Sequence, residues 1–284
     1  MKKLILIIPL VILNLIARAQ QITYQILEDE PTKAYTKFIA PEIGTEYNST
    51  CLSLFMGANG RFGLTDALVL EGIARYDLYH TSGSGAQFLT EAGVFLPLTS
   101  KNKTKEDVPV VLSYNPYAGT TYQNGQSYRV EETKYLKVPT AQFLNKIGVR
   151  GGGYLRRTGS DNLTETAHSG ITLGGVYLGG QWTSQAYVKT KVNNEVERIG
   201  AGFTRVYFDF LALPVTSMSD PTANDGVKKD GAIGWRLGYQ WYVSPHDGDY
   251  KFLSNSVFSA EIGKRPLTGF LFNLSWGFAF MSSR

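Results

Sequence analysis

The sequence predicts an all-β protein: an antiparallel transmembrane β-barrel of about twelve strands that follows a cleaved signal peptide. Three observations lead to this prediction. The chain begins with an export signal, and its remaining part repeats segments of ten to fourteen residues in which apolar and polar side chains alternate. The last such segment has an almost purely aromatic face. Segments of this length and pattern are long enough to cross a membrane as tilted strands.

The first element is the N-terminal segment MKKLILIIPLVILNLIARAQ. Two lysines precede an apolar run over residues 4–16, and Ala17 and Ala19 place small residues at the −3 and −1 positions of a cleavage site. This three-part pattern is typical of a secretory signal peptide, and the apolar run is too short for a membrane-spanning helix. We therefore expect residues 1–19 to be removed on export.

Removal of the signal changes the charge of the chain. Three of the 28 basic residues are lost, which leaves 25 against 24 acidic residues and lowers the formal charge from +4 to +1. A nearly neutral chain gives no reason to expect a nucleic-acid partner. The single cysteine, Cys51, excludes an internal disulfide framework and is expected as a small residue in a strand. No linker or change of composition divides the remainder, so we expect a polar segment over residues 20–32 and one barrel over residues 33–284.

Alternation is clearest in the segments that begin near Leu52, Leu68, Ile233 and Thr268. Each has one apolar face and one face of charged, amide or glycine residues. In a soluble β-sandwich the polar face would be the exterior and would carry mostly Lys and Glu. Here the polar faces combine Arg with Glu or Asp and are interleaved with Gly, which favours a tightly curved sheet around an enclosed polar lumen.

In an antiparallel barrel each strand runs opposite to the one before it. Assigning the segments in this way predicts twelve strands, near residues 33–44, 51–63, 67–79, 86–97, 108–118, 143–157, 168–178, 181–191, 195–212, 231–244, 253–264 and 268–280. The long polar segments 119–142 and 213–230 are then expected as loops on the external side. Ten or fourteen strands remain compatible with the sequence, because segment 33–44 contains Pro41 and because a turn at Gly179-Gly180 is weakly marked.

The polar faces define the expected lumen. The residues predicted to line it are Arg61, Glu71, Arg75, Arg150, Arg205, Asp209, Arg236, Glu261 and Arg265, with Glu91 on the same face. Charges in a confined lumen are costly unless they are paired, so we expect ion pairs of Asp209 with Arg236 and of Arg236 with Glu261. The aromatic residues predicted to face lipid or to form interfacial girdles are Trp235, Trp241, Phe270, Phe272, Trp276, Phe278 and Phe280.

The signal, the alternating strands, the short turn within FGLTDALVLEG (residues 62–72) and the aromatic C-terminal strand together resemble a Gram-negative outer-membrane β-barrel. The abundance of Tyr, Gly and Asn is similar to barrels of the Bacteroidetes lineage. The resemblance covers the whole mature chain, and no single motif identifies one family. It implies a location in the bacterial outer membrane, contact with its lipid, and recognition of residues 269–280 by the barrel-insertion machinery. The chain departs from the pattern because four residues follow Phe280.

The chemistry-bearing residues are few. His80, His168 and His246 are not at metal-ligand spacing, and no motif for catalysis or for a cofactor is present, so we expect neither an enzyme nor a metal or cofactor. The sequence favours a structural, assembly or binding component of the outer membrane whose lumen is plugged by Arg–carboxylate pairs. Loops 119–142 and 213–230 are its candidate surfaces for a protein partner. A narrow porin-like channel for small solutes is the alternative, and an outer-membrane hydrolase or acyltransferase ranks third.

Overall fold

The structure is a computed structural model that describes residues 24–34, 37–48, 51–81, 87–105, 108–138, 140–159, 170–192, 196–218, 231–242 and 255–281. The predicted signal peptide, His168 and His246 lie outside these residues. Among them the chain is almost entirely β-strand, with one short 3-10 turn at Pro31–Lys33. No helix in the described ranges is long and apolar enough to span a membrane.

The strands, in chain order, are β1 (Tyr24–Asp29), β2 (Lys37–Asn48), β3 (Cys51–Thr65), β4 (Leu68–His80), β5 (Phe88–Lys105), β6 (Val108–Gln123), β7 (Gln126–Val138), β8 (Ala141–Gly159), β9 (Gly170–Val192), β10 (Val196–Met218), β11 (Ile233–Tyr242), β12 (Ser256–Arg265), β13 (Gly269–Phe278) and β14 (Phe280–Met281). Most of the barrel strands alternate buried and exposed side chains, as β11 does at all ten of its positions. This period of two follows from the pleat, which points successive side chains to opposite faces of a strand.

Ten strands form a closed antiparallel barrel in the order β2–β3–β4–β5–β8–β9–β10–β11–β12–β13. The ring is closed by β13 against β2, where Leu271 pairs with Asn48 and Gly277 pairs with Glu42. The short strand β14 continues this seam along β2. Strand β1 pairs with the last residues of β9, so part of the predicted polar segment 20–32 is joined to the barrel wall.

The prediction of an all-β barrel is confirmed, but the barrel has ten strands rather than twelve. One difference is at Gly179-Gly180, which lies inside the single strand β9 instead of forming a turn. A Cβ atom on Gly179 would lie 1.9 Å from the carbonyl oxygen of Phe208 on β10, so the glycine is required by close packing between strands. The other difference is at residues 108–118, which belong to β6 and pair with β7 outside the barrel.

Alternating strand direction places both described ends of the chain, Tyr24 and Met281, at one end of the barrel, here called the terminal end. Strand β5 also finishes at this end, so the β6–β7 hairpin emerges there. Residues 119–138 and 140–142 are therefore strand and turn at the terminal end. Residues 213–218 belong to β10, which finishes at the opposite end of the barrel, and residues 219–230 lie outside the described residues. The prediction that residues 119–142 form a loop on the same side of the barrel as segment 213–230 is wrong for the described residues, because residues 108–118 pair with β7 and do not cross the wall.

The hairpin is held at its base. Val110 and Val138 are fully buried and pack with Ala141 and with Val188 of β9, and β6 also lies against β10. Its tip is Asn124-Gly125, where both residues have positive φ, 52° and 78°. This is the conformation of a two-residue type I′ turn, for which Asn-Gly is strongly preferred. The hairpin is thus a tight ribbon whose buried apolar packing against the barrel, among the described residues, lies near Val110 and Val138.

Candidate functional site

The interior of the barrel is filled by charged side chains. All nine residues predicted to line the lumen are exposed by 7% or less. Most of them are inside because they alternate along their strands with outward apolar residues, as Arg236 does between Trp235 and Leu237. The eight other than Arg61 form buried ion pairs with one another and with Glu42, Glu46, Glu91 and Arg156, and we call this set the charged network.

Arg236 is at the centre of this network. Its Nε donates to Oδ2 of Asp209 at 2.8 Å, and its Nη1 donates to Oε1 of Glu91 at 2.6 Å. The same Nη1 lies 3.6 Å from Oε2 of Glu261. Asp209 and Arg236 are direct partners in the β10–β11 ladder, which explains their contact. Both predicted pairs, Asp209 with Arg236 and Arg236 with Glu261, are formed.

A second group surrounds Glu71. Arg205 Nη1 lies 3.0 Å from Oε1 of Glu71, and Gln181 donates its amide to the same oxygen at 3.0 Å. Arg150 lies 3.9 Å from Glu71 and 3.6 Å from Asp209, so it connects this group to the centre of the network.

A third group surrounds Glu42 of β2. Arg75 Nε donates to Oε1 of Glu42 at 2.8 Å, while Asn59 and Ser275 each donate to Oε2 at 3.0 Å. Three donors from three different strands therefore satisfy one buried carboxylate. Such satisfaction is needed because a buried carboxylate without donors would strongly destabilise the fold.

The network extends toward the opposite end through Glu46, which pairs with Arg156 and lies 3.3 Å from Nη1 of Arg265. Arg265 Nη2 lies 3.4 Å from Glu261, which returns the chain of contacts to Arg236. Glu42, Glu46 and Arg156 were not among the predicted site residues. The alternation of Glu42 and Glu46 with Ile43, Thr45 and Tyr47 was a signal that could have identified the two carboxylates.

Aromatic rings fill the space between the charges. The guanidinium carbon of Arg150 lies 4.1 Å from the ring centre of Tyr207, and that of Arg236 lies 4.9 Å from the ring centre of Tyr177. Tyr207 also donates its hydroxyl to Glu261 at 2.8 Å. A Cβ atom on Gly238 would lie 2.0 Å from the Tyr207 ring, so this glycine makes room for the ring. Cation–π contacts of this kind stabilise buried guanidinium groups.

The terminal end is closed by apolar side chains, here called the apolar seal: Ala34, Phe38, Ala40, Ala201, Phe203, Tyr242, Val257 and Ala279. Phe38 and Phe203 each pack edge-on against Tyr242, with ring centres 4.8 and 5.0 Å away. The segment that contains the 3-10 turn is fixed to the wall, since Gln185 donates its side-chain amide to the carbonyl oxygen of Pro31 at 2.8 Å. Arg61 is stacked on the inner face of the seal, 4.6 Å above the Phe203 ring.

Two small cavities lie along the network, each with a volume of about 10 Å³. One is lined by Glu71, Glu91, Arg150 and Arg205, and the other by Glu91 and Arg236 among others. A volume of this size holds about one water molecule. Around these two cavities the lumen is filled by the buried side chains of the charged network.

The outer face has the opposite composition. Of the residues predicted to face lipid, Trp235, Trp241, Phe270, Phe272 and Phe280 are exposed, and Trp276 and Phe278 are half-buried. Trp276 packs against Phe278 and donates its indole N–H to Ser256, which accounts for the lower exposure of the indole. Large apolar side chains are exposed on all ten barrel strands.

The described residues include no group of three or more His, Cys, Asp or Glu that could hold a metal ion. His80 ends β4 and is paired in the ladder with Ser53. No protein-family model matches the chain, and no curated protein matches it.

Proposed function

We propose that this protein is an integral barrel of a bacterial outer membrane that acts as a structural, assembly or binding component, with a lumen closed by the charged network. The observation that carries the proposal is the reversed distribution of side chains. Guanidinium groups and carboxylates are buried, whereas large apolar side chains of every barrel strand are exposed. An exposed apolar surface of this extent is unfavourable in water and matches the hydrocarbon of a bilayer.

A closed backbone is the second support. Every barrel strand has a hydrogen-bonded neighbour on both sides, because β13 pairs with β2. A barrel without open edges is one of the two structures that can cross a bilayer, since lipid offers no partners for unpaired backbone groups. The aromatic strand β13 lies at the closing seam, and we propose that it is the segment that the barrel-insertion machinery recognises.

Two closures in series favour a binding or structural role over a pore. Hydrated ions crossing this lumen would have to displace both the apolar seal and the paired charges around Arg236. Ten-strand barrels are also close to the size at which side chains fill the interior. The narrow porin-like channel remains the competing function, and it differs from our proposal in one measurable property, the conductance.

The first experiment asks whether the protein is in the membrane. We expect it to fractionate with outer membranes and to migrate faster on gels when it is not boiled, as folded barrels do. Recovery as a soluble periplasmic protein would overturn the proposal.

The second experiment measures single-channel conductance in planar bilayers. We expect the parent protein to be silent and the double variant Phe203→Ala/Arg236→Ala to show conductance, because this variant opens the apolar seal and also removes the guanidinium that holds three carboxylates. Lys264→Ala on the exposed face is the matched control and should also be silent. Sustained conductance of the parent would instead support the channel.

A further inference from the structure

The β6–β7 hairpin has two outer edges with different chemistry. Neither edge pairs with another strand among the described residues. Strand β7 carries five charged residues, Arg129, Glu131, Glu132, Lys134 and Lys137, whereas the sixteen residues of β6 include no Asp, Glu, Lys or Arg. Charged side chains are a common protection of an exposed edge against pairing with other chains. The edge of β6 lacks this protection.

Proline and bulges, the other common protections, are present in β6 but not in its outer part. Pro109, Pro116 and both irregularities of its pairing with β7 precede Gly119. From Gly119 to Gln123 the ladder with β7 is regular. In this short segment Tyr122 is 74% exposed, which is unfavourable for an aromatic ring without a partner. We infer that residues Gly119–Gln123 pair with the same segment of a second copy of this chain, edge to edge and antiparallel.

The backbone supports this pairing. Because the turn has two residues, Gln123 and Gln126 exchange backbone hydrogen bonds, and hydrogen-bonded pairs then alternate along the ladder. Thr120 and Tyr122 consequently point their N–H and C=O groups away from β7. A two-fold axis at Thr121 places Thr120 of one copy opposite Tyr122 of the other, so these free groups satisfy each other.

The side chains fit the same register. Tyr122 would pack across the new ladder on Thr120 of the partner copy. Within one copy the hydroxyl of Tyr117 lies 3.1 Å from Oγ1 of Thr120, so Tyr122 would also lie next to Tyr117 of the partner copy. On the other face Thr121 meets its own copy. Aromatic–threonine and threonine–threonine pairs are favourable across strands, and no like charges face each other.

The two-fold axis gives a sharp test by disulfide formation. In a Cys51→Ser background, Thr121→Cys places the two thiols directly opposite, and the variant should oxidise to a covalent dimer in membranes. Gln123→Cys is the matched control on the same face, but it lies about 13 Å from its own copy at 3.3 Å per residue. We expect about tenfold more dimer from Thr121→Cys, because disulfides require closely spaced Cα atoms. Equal yields from the two variants, or no dimer from either, would overturn the inference.

A second test removes the free backbone donor. Thr120→Pro should abolish the dimer measured by light scattering in detergent, since its N–H is the one offered to the second copy. Ser127→Pro makes the same change on the charged edge and should leave the dimer intact. Heat-modifiable migration of both variants checks that the barrel is folded. A dimer that survives Thr120→Pro but is lost in Ser127→Pro would assign the contact to β7 instead.

Discussion

Replacing Leu237 by Arg tests whether the exposed apolar face lies in lipid. Leu237 is on the outer face of β11, between the exposed indoles of Trp235 and Trp241. Gly238 is midway between the two indoles. With a rise of about 3.3 Å per residue and a strand tilt of about 40°, Leu237 lies about 2.5 Å from this midpoint along the barrel axis. Ile233, on the same face, lies about 13 Å from it, at the edge of an apolar band about 25 Å tall.

The destabilisation expected from each arginine depends on its depth in the bilayer. Arg near the bilayer midplane destabilises a barrel by about 2–4 kcal/mol, and by about 0–1 kcal/mol near an interface. Leu237→Arg should therefore lower the free energy of unfolding by about 2–3 kcal/mol more than Ile233→Arg. Leu237 also neighbours Phe208 and Ile262 in the ladders, so Leu237→Ala is needed to subtract the loss of packing.

The measurement is denaturant unfolding of protein refolded into lipid vesicles, followed by tryptophan fluorescence. The three variants are compared with the parent under one lipid composition. A soluble barrel would tolerate both arginines equally, since both sites would be in water. A difference between Leu237→Arg and Ile233→Arg of less than about 1 kcal/mol, after subtraction of the Ala control, would refute a membrane location for this face.

Three further predictions concern the interior. Arg236→Ala should lower the free energy of unfolding by about 3–5 kcal/mol, because it leaves buried carboxylates without their cation; a loss below about 1 kcal/mol in denaturant titration would contradict a paired network. Gly238→Ala should lower the free energy of unfolding by about 1–3 kcal/mol, because the added methyl group overpacks against Tyr207. Gly202→Ala is its control in the same titration and should be neutral or slightly stabilising, since a Cβ atom there meets no atom within 4 Å. Phe203→Ala should cost about 3–5 kcal/mol by opening the apolar seal, and a similar cost for the exposed Phe210→Ala would argue against a special role of the seal.

The alternation of apolar and polar residues, with a period of two, predicts much of this fold from the sequence. Strands β3, β4, β11 and β13 begin and end within three residues of the predicted segments, because in each an apolar face alternates with polar or glycine residues. The same period placed Arg236 inside and Trp235 outside.

Other features needed information that one strand does not contain. The sequence alone does not distinguish a glycine that lets two backbones approach from a glycine that starts a turn, so it predicts a turn at Gly179 where the structure has a continuous strand. Asn124-Gly125 is a strong hairpin signal, but its significance depends on knowing that β6 is not in the wall. Glu91 and Arg236 belong to β5 and β11, which are not neighbours in the sheet, so their contact follows only from the closed ring.

The seam between β13 and β2 has a consequence for how the protein is made. It joins residues more than two hundred positions apart in the chain, and Glu46 at this seam has Arg265 as a partner from the far end of the sequence. Contacts so distant in sequence form late, since a long loop must close first. Glu42 and Glu46 of β2 therefore gain their donors on β13 and β12, Ser275 and Arg265, only when nearly the whole chain has been synthesised. Folding of this barrel cannot be completed during synthesis, and a chain that lacks β13 would lose ring closure together with the hydroxyl that Ser275 donates to Glu42.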